Sequence, residues 1–215
     1  MALTYRSYDN YEQYIKHQSQ KLDKGIKSSR TRFSTESFEH NVESYMYRFE
    51  KLIKFIKGNK ILCLGARLGE EVVAFRRMGF IDTIGVDINP GINNKYVIKG
   101  DFHNLEFRSA TFDTLYTNCL DHAWGLKELS FEMARVLKSG GRFVTEIGHS
   151  FYKKNQNKKY RKSLVSKKNK FESIIWKTTG DIRKELKEFD LVKEFNGKSN
   201  WVIAIYDKSL FENGT

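Results

Sequence analysis

A glycine-containing turn could bind a ligand through its backbone. Gly65 and Gly69 follow the apolar run Ile61–Leu64, which reads as a buried strand, and they precede a helical pattern. Glycine at such a turn lets the backbone approach a ligand closely, and the N-terminus of the next helix presents free N–H groups. Two glycines four residues apart also fit a plain strand-to-helix turn, so this feature needs support from other residues.

Later carboxylates strengthen the case for a nucleoside ligand. Asp87 ends the next predicted strand, 22 residues after Gly65. A carboxylate at about this offset accepts both hydroxyls of an adenosine ribose. Asp101 and Phe102 follow a weaker third strand, where a carboxylate and an aromatic ring could bind the edge and the face of an adenine. Alternatively, Asp101 is a turn residue and Phe102 a core residue.

The elements that position these residues alternate between strand and helix from Lys60 onward. This alternation predicts an α/β fold, a mostly parallel sheet with helices on both faces. The turn-forming residues Asn196–Asn200 connect the last two strands as an antiparallel hairpin. The predicted strands are Ile61–Leu64, Ile81–Asp87, Tyr96–Lys99, Phe112–Cys119, Arg142–Ile147, Leu191–Phe195 and Trp201–Tyr206, and Phe171–Trp176 is a further extended segment. The predicted helices are Glu70–Met78, Leu126–Lys138 and Gly180–Phe189.

Two amphipathic helices precede this domain. Apolar residues recur at helical spacing near Asn10–Leu22 and, more strongly, over Thr35–Lys57. We therefore divide the chain into an N-terminal helical extension at residues 1–58, which would cover the cofactor and substrate, and one domain at residues 59–215. A chain of 215 residues is long enough to bury one sizeable hydrophobic core, so we expect a single folding unit.

The formal net charge of +12 lies in the flanks of the chain. Residues 60–150 carry 11 basic and 11 acidic side chains, whereas residues 1–59 have a net charge of +4 and residues 151–215 one of +8. The basic insertion 151–170 holds nine Lys and Arg and no carboxylate. Such a run is either a solvated loop or a surface that binds anions.

The cysteines and the hydropathy pattern indicate the compartment. Cys63 and Cys119 both lie in apolar runs, where a thiol behaves as a small core residue, so we expect no disulfide. No stretch approaches the roughly 18 uninterrupted apolar residues of a membrane span, and the first residues have no signal-peptide pattern. We expect a soluble, cytoplasmic protein without a transmembrane segment or a metal site.

Residues 59–147 and the terminal hairpin together resemble the class I, Rossmann-like, S-adenosylmethionine-dependent methyltransferases. Besides the turn at Gly65, Asp87 and the pair Asp101-Phe102, the run Phe112–Asn118 is similar to the family's central strand. The run Val136–Phe143 is similar to the turn that leads into its fifth strand. The resemblance implies a seven-stranded, mostly parallel sheet, S-adenosylmethionine as cofactor and S-adenosylhomocysteine as product.

The resemblance also implies roles for individual residues. Glycines of the turn would line the methionine moiety, Asp87 would bind the ribose, and Asp101 with Phe102 would recognise adenine. Asn118 and Leu120 would lie near the reacting methyl group. The implied cofactor-binding residues are Gly65, Ala66, Arg67, Gly69, Asp87, Ile88, Asp101, Phe102, Asn118 and Leu120.

The turn departs from the family pattern at two positions. Members commonly have an acidic residue where this chain has Cys63 and a glycine where it has Arg67. We hypothesise that the Arg67 guanidinium pairs with the carboxylate of the cofactor's methionine, since it suits bidentate carboxylate recognition. The alternative is that Arg67 points into solvent.

A hydroxyl acceptor benefits from a general base, and ligands of open α/β sheets gather at the carboxyl ends of the strands. His122 is the first candidate base, followed by Glu146 and His149. A histidine just beyond a strand can equally be a hydrogen-bonded or solvent-facing residue. The central strand does not end in the Asn/Asp-Pro-Pro-Tyr/Phe pattern of the family's amino-group methylators, which argues against methylation of adenine or cytosine amino groups.

The leader Tyr11–Gln18, followed by Lys21–Lys24, is similar to the first helix of poorly characterised methyltransferases linked to surface-glycan synthesis. This helix makes Tyr14 and His17 candidate substrate-binding residues, although both could serve packing alone. Asp121, which lies at the carboxyl end of the central strand, is the third candidate. The leading hypothesis is O-methylation of a sugar or a similar polar molecule. The basic insertion would then bind an anionic part of this acceptor or of its carrier.

Three other functions stay open. RNA methylation is the main rival, since basic residues interleaved with aromatic rings in the insertion could follow a phosphate backbone and stack a base. A nicotinamide-dependent oxidoreductase normally has Gly-x-Gly-x-x-Gly at the turn, which residues 65–69 do not match. The third is a binding module that uses the fold without catalysis. The sequence does not indicate the oligomeric state.

Overall fold

The computed structural model describes residues 3–27, 35–148, 171–176, 178–197 and 201–209. Its strands are β1 (Leu3–Tyr5), β2 (Ile61–Leu64), β3 (Ile84–Asp87), β4 (Val97–Lys99), β5 (Phe112–Thr117), β6 (Leu137–Gly148), β7 (Ile174–Trp176), β8 (Phe189–Asn196) and β9 (Trp201–Lys208). Its α-helices are α1 (Tyr11–Lys27), α2 (Thr35–Phe49), α3 (Glu70–Arg77), α4 (Leu126–Val136) and α5 (Thr179–Arg183).

Seven strands form one sheet in the order β4-β3-β2-β5-β6-β9-β8. The first five run parallel, whereas β9 is antiparallel to both β6 and β8. The predicted mostly parallel sheet of seven strands with an antiparallel C-terminal hairpin is therefore confirmed. The strand order reverses at β2, which lies between β3 and β5, and this switch point is where open α/β sheets bind ligands.

Helices cover both faces of the sheet, as predicted. All four residues of β2 are buried, which explains its uninterrupted apolar run. One face packs against α4, through residues such as Leu129 and Met133. The other face packs against α2 and α3, where the rings of Phe49 and Phe75 stack with centroids 4.2 Å apart.

The N-terminal segment is attached to the domain at two places. Strand β1 pairs antiparallel with β7 in a separate two-stranded sheet. Helix α1 is held by Tyr14, whose hydroxyl donates to the carbonyl oxygen of His122 at 3.0 Å, and by Gln18, whose amide donates to the carbonyl oxygen of Phe171 at 2.6 Å. These contacts lay α1 across the carboxyl end of β5.

Some element boundaries differ from the predicted ones. The predicted helix over Thr35–Lys57 ends at Phe49, and a single 3-10 turn follows at Ile53–Phe55. The backbone N–H and C=O of Lys57 both bond to the hydroxyl of Thr114 on β5, a contact with the sheet that helical periodicity does not reveal. The predicted helix over Gly180–Phe189 covers only Thr179–Arg183, because Phe189 already pairs with β9.

None of the helices in the described part of the chain has the length and apolar composition needed to cross a membrane.

Candidate active site

The turn that joins β2 to α3 lies against the end of β3. The N–H groups of Gly65 and Ala66 both donate to the carbonyl oxygen of Val86, at 2.8 and 3.1 Å. Gly65 has a φ of 70° and Arg67 one of 44°, so both lie in the left-handed region. A residue with a side chain adopts this backbone conformation only at a cost in free energy. This cost explains why the methyltransferases that the sequence resembles have glycine where this chain has Arg67. A Cβ atom at Gly65 would also collide with the sulfur of Cys119, so the turn passes directly over the end of β5.

Asp87 is fixed at the end of β3 by two backbone N–H groups. Arg67 donates to its Oδ2 at 3.0 Å and Asn89 donates to its Oδ1 at 2.8 Å. A carboxylate has about four acceptor positions, so each oxygen keeps capacity for a ligand hydroxyl. The arrangement holds the carboxylate rigidly and fits the predicted binding of a ribose.

Asp101 is engaged by neighbouring side chains. The Tyr11 hydroxyl donates to its Oδ2 at 2.5 Å, and the backbone N–H and ring Nδ1–H of His103 donate to its Oδ1 at 2.9 and 3.0 Å. Burial alone would raise the pKa of Asp101, but the hydrogen bonds from His103 and Tyr11 outweigh it and hold the pKa below its ordinary value. His103 Nε2 in turn accepts the backbone N–H of Trp124 at 3.0 Å, which fixes the neutral ring with its proton on Nδ1.

A cavity of about 330 Å³ lies at the carboxyl ends of β2, β3 and β5. Its volume is at the lower end of the range of about 300–1,000 Å³ typical of small-molecule sites. Gly65, Asp87 and Asn118 mark the three strand ends around it, and α1 and α2 provide the opposite walls.

The wall formed by α1 contains a hydrogen-bonded pair of ionisable residues. The Lys21 ammonium donates to His122 Nε2 at 2.8 Å, and His122 Nδ1–H donates to the carbonyl oxygen of Phe171 at 2.9 Å. Burial and the nearby Lys21 charge lower the pKa of His122 to about 3. The Asp121 carboxylate lies 3.7 Å from the same ring, and burial raises its pKa to about 6 although Lys21 opposes the shift.

The wall formed by α2 is built on a buried ion pair. The guanidinium of Arg48 donates to Glu146 Oε2 from Nη2 and Nε, at 2.5 and 2.9 Å, and Tyr116 donates to the same oxygen at 3.1 Å. On the cavity side, Arg48 stacks against the ring of Tyr45 at 4.3 Å, and Asn118 donates to the Tyr45 hydroxyl at 2.8 Å. The pair therefore supports the residues that face the cavity.

Glu71 adds a buried carboxyl group to this wall. It lies in the first turn of α3 and lines the cavity, although only 3% of its surface is exposed. Burial, followed by repulsion from Glu70, raises its pKa to about 8. The carboxyl group is therefore mostly protonated at neutral pH, when it can donate as well as accept a hydrogen bond.

The structure brings most of the predicted site residues to one cavity. Those that line it are Tyr14, Gly65, Ala66, Arg67, Asp87, Ile88, Phe102, Asn118, Asp121 and His122.

Five predicted residues lie elsewhere. Gly69 precedes α3 and faces Tyr96 and Val97, and Leu120 is buried in the core. Asp101 binds Tyr11 and His103 as described, and Glu146 lies behind Arg48. His17 stacks on Phe171 and bonds to the Tyr8 hydroxyl at 2.9 Å. His149 lies outside the described residues.

Several cavity residues were not predicted from the sequence. They include Lys21 and Gln18 on α1 and four polar residues of α2, and the complete set is Gln18, Lys21, Asn41, Ser44, Tyr45, Arg48, Glu70, Glu71, Asn89 and Cys119. The signal that could have found them is spacing, because polar residues at positions 41, 44, 45 and 48 share one face of a helix. Gln18 and Lys21 likewise share a face with Tyr14.

The strand order, the glycine turn and the anchored carboxylate together define a Rossmann-like methyltransferase fold with its ligand site at the topological switch point. Residues 62–145 match the protein family described as "Methyltransferase domain". The chain is thus an S-adenosylmethionine-dependent methyltransferase, and S-adenosylmethionine is its cofactor. The Asp87 carboxylate, with acceptor capacity left on both oxygens beside the glycine turn, fits the ribose of that cofactor. When bound, the cofactor supplies an activated methyl group.

Solved structures share this fold at low sequence identity. The PH0226 protein from Pyrococcus horikoshii OT3 has a TM-score of 0.64 and 19% identity, over 86% of this chain and 98% of that one. A 1,6-didemethyltoxoflavin-N1-methyltransferase from Burkholderia thailandensis, solved with S-adenosylhomocysteine, has a TM-score of 0.66 and 12% identity, over 96% and 93%. A possible histamine N-methyltransferase from Thermotoga maritima has a TM-score of 0.60 and 15% identity, over 87% and 98%. No curated protein matches the chain in sequence.

Proposed function

We propose that this methyltransferase transfers the methyl group to a hydroxyl of a sugar, a glycan or a similar polar small molecule. The observation that carries the proposal is the wall of the cavity at the carboxyl end of β5. Lys21, Asp121 and His122 lie there together, and all three line the cavity. Such side chains bind hydroxyl groups through hydrogen bonds and can manage the one proton that O-methylation releases.

In this proposal one side of the cavity binds the cofactor and the other side binds the acceptor. The turn at Gly65 and the Asp87 carboxylate hold the cofactor, and Arg67 pairs with the carboxylate of its methionine. Phe102 contacts the adenine. The acceptor then lies between this side and α1, with Tyr14 and Asp121 as its contacts, beside the hydrogen-bonded pair of Lys21 and His122. The cofactor's sulfonium is already activated, so catalysis depends chiefly on orientation and on removal of one proton.

A sugar acceptor is supported by the similarity of the leader helix to methyltransferases linked to surface-glycan synthesis. Nitrogen is the competing acceptor atom, because two structural neighbours are named as N-methyltransferases. Their identities of 15% and 12% carry the fold and not the acceptor. The polar, ionisable wall favours an acceptor that must lose a proton during transfer.

The test is methyl transfer from radiolabelled S-adenosylmethionine to a panel of sugars, nucleotide sugars, polyols, aromatic amines and RNA. We expect label in hydroxyl-bearing acceptors, together with an equal amount of S-adenosylhomocysteine. The Asp87→Ala variant serves as the negative control, because it should not retain the cofactor. Transfer only to amines, or to no member of the panel, would refute O-methylation.

RNA is the second candidate acceptor, and the charge of the basic insertion favours it. Nine Lys and Arg without a carboxylate between residues 151 and 170 could neutralise several phosphates. We expect RNA affinity, if it is functional, to fall steeply with salt and to weaken when Lys153, Lys154, Lys158 and Lys159 are changed to Gln. The matched control changes four exposed lysines elsewhere to Gln, Lys127, Lys184, Lys187 and Lys193, and so removes the same charge. Affinity that is equal in all three proteins, or absent at low salt, would exclude this acceptor.

A further inference from the structure

Lys21 lines the cavity on the side of α1, where we place the acceptor. It follows Tyr14 by seven residues and Gln18 by three on α1, so the three side chains share one helix face. Tyr14 and Gln18 anchor this face to residues 122 and 171, as described above. Their bonds fix the part of the helix that carries Lys21, whose Nζ lies 2.8 Å from His122 Nε2.

The direction of the hydrogen bonds around His122 is fixed by its other neighbour. A carbonyl oxygen can only accept, so His122 Nδ1, 2.9 Å from the Phe171 carbonyl, must carry the proton. Nε2 of a neutral imidazole is then a lone pair, and it accepts from Lys21. His122 therefore holds the amino group of Lys21 in place, and Lys21 itself lines the cavity.

The proton belongs to Lys21 rather than to His122. Burial lowers the pKa of His122 to about 3, so its ring does not hold a proton near neutral pH. Burial, followed by repulsion from Arg67, lowers the pKa of Lys21 to about 8. A group with that pKa is populated in both protonation states near neutral pH, as a general base requires.

The other charged and titratable groups that face Lys21 modify this balance. Asp121, Cys119 and Asp87 favour the ammonium form, whereas Arg67 disfavours it. A bound sulfonium would add a positive charge to the same cavity and would favour the neutral amine further. Cofactor binding thus prepares Lys21 to accept a proton.

We propose that Lys21 is the residue that takes the proton of the acceptor hydroxyl, and that His122 is a positioning residue that orients the Lys21 amine. Methylation of a hydroxyl forms a C–O bond and breaks the methyl–sulfur bond, whose electron pair stays on sulfur. The hydroxyl proton passes to the lone pair of Lys21 Nζ, and the resulting ammonium returns it to solvent after the product leaves. The inference rests on the proposed function, because only an acceptor that loses a proton needs this base.

The first experiment measures the titration of Lys21 itself. Protein labelled with 13Cε-lysine is titrated by NMR with S-adenosylhomocysteine bound and again with S-adenosylmethionine bound. We expect one lysine signal with a midpoint near 8, absent in Lys21→Met and retained in Lys16→Met, an exposed lysine of the same helix. The midpoint should fall when the sulfonium replaces the thioether. A Lys21 midpoint within one unit of that of the other lysines would overturn the inference.

The second experiment separates proton transfer from charge. Wild type, Lys21→Met and Lys21→Arg are compared with the hydroxyl acceptors of the panel between pH 6 and 10. A general base contributes about 10²–10⁴-fold, so both variants should lose at least about 100-fold in kcat while binding S-adenosylhomocysteine as the wild type does. The wild-type rate should rise with pH to a plateau.

The outcomes distinguish a failure of Lys21 as the base from a failure of O-methylation itself. Lys21→Arg keeps the positive charge but cannot act as a base, because guanidinium stays protonated. Activity retained in Lys21→Arg would overturn the inference and leave O-methylation standing. An inactive wild type across all hydroxyl acceptors would instead overturn the proposed function, and the inference with it.

Discussion

At the scale of the residue, Asp87 connects the glycine-containing turn to the cavity. It accepts the N–H groups of Arg67 and Asn89, which ties the ends of β2 and β3 together. Asp87 also lines the cavity, where we propose that it binds the ribose. A residue that both shapes the turn and binds the ribose should be sensitive even to a conservative change.

We expect Asp87→Asn to weaken S-adenosylhomocysteine binding by at least about tenfold, or about 1.4 kcal/mol, and Asp87→Ala to weaken it further. Asparagine keeps one acceptor oxygen, whereas alanine keeps none. Calorimetric titration measures both. Asp82→Ala, an exposed carboxylate just before the same strand, is the control and should bind normally. Unchanged affinity in Asp87→Ala would contradict the ribose assignment.

Arg67 allows a test that separates its side chain from its backbone. Its φ of 44° is a conformation that glycine adopts without strain, so Arg67→Gly preserves the turn and removes only the guanidinium. If that group pairs with the methionine carboxylate, Arg67→Gly should lower cofactor affinity by about tenfold. Arg108→Ala on the surface is the matched control. Equal affinity of Arg67→Gly and wild type would show that Arg67 has no such partner.

At the scale of the element, α2 belongs both to the core and to the cavity. Val42 and Phe49 pack under the sheet, while Tyr45 and Arg48 reach the ligand side. The Arg48–Glu146 pair joins α2 to β6 with almost no exposure of either side chain. Removing one partner of a buried pair leaves the other charge without compensation.

We expect Arg48→Met to lower the free energy of unfolding by about 3–5 kcal/mol at pH 8, and Arg48→Met with Glu146→Gln to recover most of that loss. Urea unfolding gives both values. Arg77→Met removes the arginine of an exposed pair with Glu39 and should change stability little, because solvent screens such pairs. A similar small effect for Arg48→Met would show that α2 is not held by this pair.

The sequence predicted the strands better than the helix faces. Ile61–Leu64 and the glycine turn have local sequence signals, since a strand covered by helices on both faces is continuously apolar and a tight turn needs glycine.

The role of Lys21 has no local sequence signal. An amphipathic pattern predicts a helix, but it does not show that residues near position 171 will hold α1 over the end of β5. The role of Arg48 could not be predicted either. An arginine between apolar residues is expected to be solvent-exposed, and only the tertiary structure places Glu146 next to it. His122 was predicted from its position after β5, but its bonds to Lys21 and Phe171 depend on tertiary structure.

At the scale of the whole molecule, the cavity concentrates groups that are costly to bury. Glu71 has a folded pKa of about 8 against an ordinary value of 4.5. Between those values the folded state binds a proton that the unfolded state has lost. The contribution of Glu71 to stability is therefore complete below about pH 4.5 and is lost as the pH rises toward 8.

We expect Glu71→Gln to remove this pH dependence. The stability of the variant relative to wild type should rise with pH, by up to about 1.4 kcal/mol per pH unit between pH 5 and 8. Urea unfolding at several pH values measures the difference. Glu128→Gln, on the exposed face of α4, should follow the wild-type profile. Parallel profiles for Glu71→Gln and wild type would mean that the Glu71 carboxyl is ionised in the folded protein.

The two-stranded sheet of β1 and β7 also bears on when the enzyme becomes competent during its own synthesis. Leu3 pairs with Trp176, and Gln18 bonds to the carbonyl of Phe171. The wall formed by α1 therefore depends on residues that are synthesised more than 150 positions later in the chain. Long-range contacts of this kind form late, because their loop-closure entropy is not offset until both partners exist. A nascent chain still lacking β7 could fold β2 through β5 on the ribosome and could bond its first helix to Asp101 and His122, but β1 and Gln18 would have no partners yet. The acceptor side of the cavity would thus be completed only after the sheet that supports it.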